Sequence, residues 1–306
     1  MSWPGQPVTV RTPATSANLG PGFDALGLAL TLYDVVEARI IPAGLDIEVS
    51  GAGEDTATAG EDHLVVQAMR AGFGATGGGQ PPGIGLRCVN AIPHGYGLGS
   101  SAGAIVAGLL AARALAPGGR AMTDAEVLHL ATRLEGHPDN VAACLTGGLT
   151  IAWTTASGAR TARLQPACGL ETVVFIPERS LSTAQTRLLL PAAVPHADAA
   201  ANSARAALLI AGLTVDPALL LAGTEDLLHQ PYRAPAMPAT AGLIGRLRAA
   251  GVPAVVSGAG PSVLALTVPG VHPGPEACAA IAAQTGVTWQ VTPLRVDLAG
   301  ATVGPS

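Results

Sequence analysis

The segment Pro93-His-Gly95-Tyr96-Gly97-Leu98-Gly99-Ser100-Ser101-Ala102-Gly103 follows a strand-like stretch and runs straight into the helix-forming AIVAGLLAARAL. Glycine lets a backbone approach a ligand closely and take up positive φ. The helix start behind it offers unpaired N–H groups and a partial positive charge, which suit a phosphate. Ser100 and Ser101 add hydroxyls within reach of phosphate oxygens or Mg²⁺. Taken alone, such a segment is either a nucleotide loop or merely a tight turn. A dinucleotide fold would want GxGxxG near the N-terminus and an acidic residue about 20 positions on. This chain has neither.

Outward from the loop, strand patterns are predicted at Val8 and Val10, over 35–41, at Leu45, Ile47 and Val49, and at Ile84, Leu86 and Cys88. The Gly- and Pro-rich run 74–83 punctuates them. A helix is expected after Asp62, with Val65, Val66, Met69 and Arg70 on successive turns. Thr123 and Glu126 form a capping box before Val127, Leu130, Ala131 and Leu134. A strand over 149–153 is followed by polar TTASGART, read as the domain junction, which gives residues 1–155 and 156–306 as the two domains. The second half reads as a strand (172–176), Ala/Leu helices between 182 and 250, and a hairpin pairing 254–256 with 262–268. A helix (276–283) and a strand (287–291) complete it. Strands and helices mix without βαβ alternation, so the class is α+β. The termini read as short and loose.

Composition narrows the function. At 306 residues, one or two compact domains are expected, and with 49% hydrophobic but only 3% aromatic residues the core must be built from Ala, Val and Leu. The mean hydropathy of +0.42 is inflated by Ala. The longest helical apolar run, 102–112, is too short to span a bilayer, and the opening residues lack a secretory pattern, so a cytoplasmic protein without a membrane partner is expected. All 16 Lys/Arg positions are Arg. A Walker loop needs GK[ST] and Schiff-base chemistry needs a lysine, so both are excluded. A net charge of −5 without a basic cluster excludes nucleic acid as partner. Cys88, Cys144, Cys168 and Cys278 show no CxxC spacing and read as buried, reduced thiols.

The loop resembles that of the GHMP kinases, P-x3-G-L-G-S-S-A-A, matched at Pro93, Gly97, Leu98, Gly99, Ser100, Ser101 and Ala102, with Gly103 replacing the second Ala. Ser257-Gly-Ala-Gly260-Pro-Ser262 is similar to the family's glycine-rich third motif, although alone it reads as a hairpin turn. Several further segments resemble the homoserine kinase branch: Asn18 to Asp24 (NLGPGFD), Glu135 to Ala142 (EGHPDNVA), Ser182-Thr183 with Arg187 and Pro191, Asn202 with Arg205, and Leu228 to Arg233 (LHQPYR).

The resemblance implies a two-domain GHMP-kinase fold, with a ribosomal-protein-S5-like domain first, a ferredoxin-like α/β plait second, and ATP at the junction. It implies ATP-dependent, Mg²⁺-assisted phosphorylation of the hydroxyl of L-homoserine, a step in threonine biosynthesis. A homodimer is left open. By the same resemblance Ser101 and Glu135 hold Mg²⁺, while Pro93, Gly95 to Ala102 (Tyr96 included) and His63 contact ATP. His63 stands where Asn is usual. Asn18 and Asp24 face the substrate ammonium, Arg187 and Arg233 clamp the carboxylate, and Asn140 orients the hydroxyl. His137, Thr183 and Gly260 complete the substrate site. Asn140, Ser101, Glu135 and Arg187 carry catalysis. Arginine suits a bidentate carboxylate contact. Phosphoryl transfer asks mainly for positioning and charge neutralisation. The Asp–Lys pair of mevalonate kinases is impossible in a Lys-free chain, and no side chain must act as a base. Another amino alcohol or hydroxy acid remains an alternative substrate, and a nucleotide-free sensor an alternative to an enzyme.

Overall fold

The structure is a computed structural model that describes residues 3–54, 60–117, 122–181 and 186–305. Strands β1 (Val8–Ala17) and β2 (Leu26–Ile40) form a long antiparallel pair. Beyond β2 lie β3 (Gly44–Gly51) and β4 (Gly83–Asn90), which run parallel to each other. A parallel pair needs a crossover, and helix α1 (Leu64–Thr76) lies within the connection. Helices α2 (Ser100–Leu115), α3 (Asp124–Glu135) and α4 (Asp139–Thr146) follow. The hairpin β5 (Leu149–Thr155) and β6 (Gly158–Leu164) pairs back onto the start of β2. α2 is buried on most sides, as an apolar run without a polar face must be. The capping box is present in full: Thr123 Oγ1 accepts from the Glu126 N–H, and the Glu126 carboxylate accepts from the Thr123 N–H.

The second half contains β7 (Glu171–Pro177), α5 (His196–Thr214), α6 (Pro238–Ala249), β8 (Ala254–Val256), β9 (Val263–Thr267), α7 (Pro275–Ala283) and β10 (Trp289–Arg295). Its sheet has the order β10-β7-β9-β8, entirely antiparallel, which is the ferredoxin-like plait. One apolar cluster joins the two halves: Leu19, Leu28, Leu98 and Leu149 pack with Val174, Leu209, Val255 and Leu264. That shared core fixes the loops of one sheet against those of the other. Among the described residues no helix is long and apolar enough to cross a membrane.

Four expectations change. TTASGART is the tight turn and return strand of the β5–β6 hairpin, so the chain leaves the first sheet only after Leu164. Cys168 is exposed, unlike the other three cysteines. The last plait strand begins at Trp289 rather than 287. The C-terminus is not loose: β11 (Thr302–Pro305) returns to the first sheet and pairs antiparallel with β1. No local pattern marks so short a strand, because an existing sheet edge supplies its partner.

Ending the chain after Gly300 strips β1 of that partner. With roughly 0.5–1 kcal/mol for each of about four ladder bonds, stability is expected to fall by roughly 2–4 kcal/mol in urea unfolding. An unmoved midpoint would show that β11 is decoration.

Candidate active site

Six segments converge on one cleft of about 700 Å³. The β1–β2 connection brings Asn18 and Asp24. The β4–α2 loop brings Gly95, Gly97, Gly99, Ser100 and Ser101, and the α3–α4 turn brings Glu135, His137, Asp139 and Asn140. The β8–β9 turn adds Gly258 and Ala259, and the plait half adds Arg187 and Arg233.

The loop owes its position to two glycines. Gly99, with φ +74°, is the N-cap of α2, and a Cβ there would stand 1.9 Å from Thr15 Oγ1. A Cβ on Gly97 would stand 2.2 Å from the Ser257 carbonyl oxygen. The backbone therefore lies directly on β1 and on the β8–β9 turn, and the start of α2 opens into the cleft. Leu98 and Ala102 are buried and anchor the loop rather than present side chains to a ligand. Tyr96 Oη donates to the Glu178 carbonyl at 3.1 Å, tying the loop to the segment after β7. At Gly103 an alanine Cβ would lie 3.3 Å from Thr12 Oγ1, so glycine relieves a tight contact.

Ser101 Oγ donates to Glu135 Oε1 at 2.6 Å. Burial pushes the Glu135 carboxyl up from its ordinary range, against the Ser101 bond and the charge of His137. A buried carboxylate with a hydroxyl beside it makes a hard-oxygen pair of the kind Mg²⁺ takes. His137 Nδ1 lies 2.6 Å from Asp139 Oδ1. Burial opposes the charged imidazole, but the Asp139 bond and charge outweigh it, and the pKa of His137 is raised. Asn140 Oδ1 accepts from Thr15 Oγ1 at 2.8 Å, which fixes the amide and leaves its nitrogen for the cleft.

Asp24 and Arg187 are paired with each other: Arg187 Nη2 lies 2.7 Å and 2.5 Å from the two Asp24 oxygens. Arg233 is buried, with Nη1 2.9 Å from His229 Nδ1. His229 Nε2 lies 3.0 Å from the Gly20 carbonyl oxygen. Burial lowers the pKa of His229, so the neutral ring donates to Gly20 and accepts from Arg233. Phe23 stacks on His229, and both guanidiniums lie over its ring. Asn18 serves the framework as well as the cleft: its Nδ2 donates to the Gly258 carbonyl at 2.8 Å and its Oδ1 accepts from the Asp24 N–H at 2.9 Å.

Gly260 is buried behind the cleft, where its Cβ would meet Met237, and its neighbours Gly258 and Ala259 form the wall instead. Ser182 and Thr183 lie outside the described residues. His63 lines a second cavity of about 260 Å³ that shares Ser100 and Ser101 with the cleft. Its Nδ1 and Thr12 Oγ1 are buried without a hydrogen-bond partner. Sequence reasoning missed Thr15, which holds Asn140, and the framework role of His229. Both contacts span more than a hundred residues, so no local spacing announces them.

The N-terminal domain description of the GHMP kinases matches residues 63–148, and their C-terminal description matches residues 209–281. The chain belongs to the GHMP kinase family. Among its curated relatives, the homoserine kinase of Streptomyces coelicolor is 53% identical, over 97% of this chain and 94% of that one. The homoserine kinase of Mycobacterium tuberculosis is 50% identical, over 83% and 82%. The crystal structure of homoserine kinase from Cytophaga hutchinsonii superposes with a TM-score of 0.85 at 26% identity, covering 98% of both chains. Phosphomevalonate kinase of Streptococcus pneumoniae, at 13% identity and a TM-score of 0.70, shares the fold.

For this GHMP kinase, Gly99→Val is expected to abolish ATP binding in calorimetry, because a side chain there displaces Thr15 and closes the loop. The strain should cost about 1–3 kcal/mol, leaving a folded protein by circular dichroism. Normal ATP affinity in this variant would reduce the loop to a turn.

Proposed function

We propose that this GHMP kinase transfers the γ-phosphate of ATP to the side-chain hydroxyl of L-homoserine, giving O-phospho-L-homoserine for threonine biosynthesis. The observation that carries the reading is the cleft itself: Asp24, Arg187, Arg233 and the Asn140 amide face one volume beside Ser101 and Glu135. Homoserine carries an ammonium, a carboxylate and a hydroxyl, and the cleft offers an anion, two guanidiniums and an amide. Relatives about 50% identical over most of their length carry the name homoserine kinase.

In this reading the phosphates lie over Gly97, Gly99 and the N-terminus of α2, whose N–H groups neutralise charge. The base occupies the cavity at His63, where the orphaned His63 Nδ1 and Thr12 Oγ1 supply hydrogen-bonding partners. Ser101 and Glu135 would hold Mg²⁺, which would neutralise charge on the phosphates. Arg187 and Arg233 receive the substrate carboxylate and Asp24 its ammonium, exchanging the Asp24–Arg187 pair for contacts with the substrate. The Asn140 amide directs the hydroxyl oxygen at the γ-phosphorus. A bond forms between them as the bond to the β-phosphate oxygen breaks and ADP leaves, and the hydroxyl proton passes to an oxygen of the transferred phosphoryl group, so no side chain need act as a dedicated base.

Two tests follow from these roles. Glu135→Gln and Ser101→Ala are each expected to lower kcat strongly with homoserine binding nearly intact, since metal contacts matter most in the transition state. Glu135→Gln retaining more than about half the activity at saturating Mg²⁺ would remove the metal role.

Loss of either arginine is expected to cost about 10- to 150-fold in kcat/KM for homoserine, from roughly 1.5–3 kcal/mol per charge-assisted contact. Turnover of an amino-butanol lacking the carboxylate should hardly change in Arg187→Leu. The double variant with Arg233→Leu should be non-additive, because both residues serve one group. Equal losses with the carboxylate-free analogue would make the arginines structural and leave the substrate open.

A further inference from the structure

A cavity of about 420 Å³ lies away from the phosphate loop, between α5, α6 and the segment 224–231. Ala241, Ile244, Met237 and Pro231 give it an apolar wall. Its rim is a charged cluster: Arg205 Nη2 lies 2.6 Å from Glu225 Oε2, and Arg248 Nη2 lies 3.7 Å from Glu225 Oε1. Arg248 also donates to Thr224 Oγ1 at 2.7 Å and to the Leu221 carbonyl at 2.8 Å. Two guanidiniums thus share one carboxylate, and with five N–H donors each they retain donors for an incoming oxyanion. Asp226 lines the wall as well, but its two oxygens already accept from the backbone N–H groups of Leu228, His229 and Gln230.

We infer that this cavity is a second ligand site, for a small monocarboxylate with an apolar body, and that its occupancy tunes binding of the substrate carboxylate. An apolar pocket with a few convergent polar groups is the usual form of a small-molecule site, and arginine is the matching partner for a carboxylate. The coupling route consists of wall residues. Asp226 positions His229, whose Nδ1 holds Arg233 at 2.9 Å. Gln230 Oε1 accepts from the Val256 N–H at 2.6 Å, one residue before Ser257, whose Oγ bonds the Gly97 carbonyl at 2.7 Å. Asn202, next to the lining Ala201, bonds both the Pro21 carbonyl and the Leu227 N–H. A ligand that shifts segment 224–231 therefore moves the arginine and the glycine turn that line the catalytic cleft.

The test is calorimetry with isovalerate, against its neutral isostere isovaleramide. Isovalerate is expected to bind saturably, with the amide about tenfold weaker or more. Arg205→Gln should weaken isovalerate by a similar factor. So should Gly245→Leu, because a Cβ on Gly245 meets nothing within 4 Å and the new side chain fills the cavity while improving the helix. Arg187→Leu should leave this binding intact, which separates it from the substrate clamp. In the kinase assay isovalerate should shift KM for homoserine several-fold, an effect absent in Gly245→Leu. Equal affinity for acid and amide overturns the inference, as does absence of saturable binding. Loss in Arg187→Leu with retention in Gly245→Leu overturns it too, as does an unchanged KM for homoserine. The binding pattern is read without turnover, so it stands or falls separately from the choice of homoserine as substrate.

Discussion

A Cβ at Gly97 would stand 2.2 Å from the Ser257 carbonyl oxygen and 2.9 Å from that of Gly260, so two glycine-rich turns meet backbone to backbone. Ser257 Oγ lies 2.7 Å from the Gly97 carbonyl oxygen and 2.9 Å from Ser16 Oγ. The Gly258 N–H donates to the Ala17 carbonyl at 3.1 Å. Three chain segments more than seventy residues apart are thereby locked at one point, with β1 in the middle. Asn18 and Asp24 on one side and Ser100 and Ser101 on the other are then at most a short loop away. The phosphate loop, the Asn18–Asp24 loop and the β8–β9 turn cannot move independently, and the apolar cluster beneath them makes the same connection through packing.

Charge in the cleft divides into two kinds. Asp24 and Arg187 are about 40% exposed, and an exposed ion pair is worth roughly 0–1 kcal/mol. A zwitterionic ligand can take over both halves of that pair at little cost. Arg233, at 2% exposure, is different: its guanidinium is held by His229 and lies over Phe23, so its position is set before any ligand arrives. One arginine is thus free to adapt and one is preorganised, a combination that suits the proposed carboxylate contact. Glu135 belongs to the buried kind, and burial raises the pKa of its carboxyl.

The sequence made the phosphate loop, the capping box at Thr123, α1 and the β8–β9 hairpin legible, because each is encoded by neighbours in the chain: glycines before an apolar helix, Thr with Glu three residues on, or a 3.6-residue repeat. The cleft residues became legible only through resemblance to a family, since Asp24, Glu135, Arg187 and Arg233 carry no local pattern that brings them together. Contacts such as Thr15 with Asn140, or His229 with Gly20, stayed invisible for the same reason. TTASGART misled because polar residues with a glycine make a hairpin turn as readily as a linker. β11 was missed because its strand character comes from β1's open edge and not from its own residues.

The most costly local geometry lies where the substrate's ammonium is proposed to sit. Asn18, Leu19 and Asp24 all have positive φ, at 66°, 51° and 53°. Asn and Asp tolerate this region through their short polar side chains, whereas leucine does not. At roughly 1–3 kcal/mol for each such residue, the loop would relax unless the surroundings held it. They do so by means that match each residue. Leu19 is fully buried in the cluster shared by both halves, and complete burial of a leucine is worth roughly 1.5–3 kcal/mol, enough to offset its strain. Asn18 spends its amide on the Gly258 carbonyl and its carbonyl on the Asp24 N–H, so the same side chain that occupies one strained position braces the other. The left-handed turn at Asp24 is therefore sustained by the junction of the two halves, and the carboxylate that it presents to the cleft is positioned by the fold as a whole.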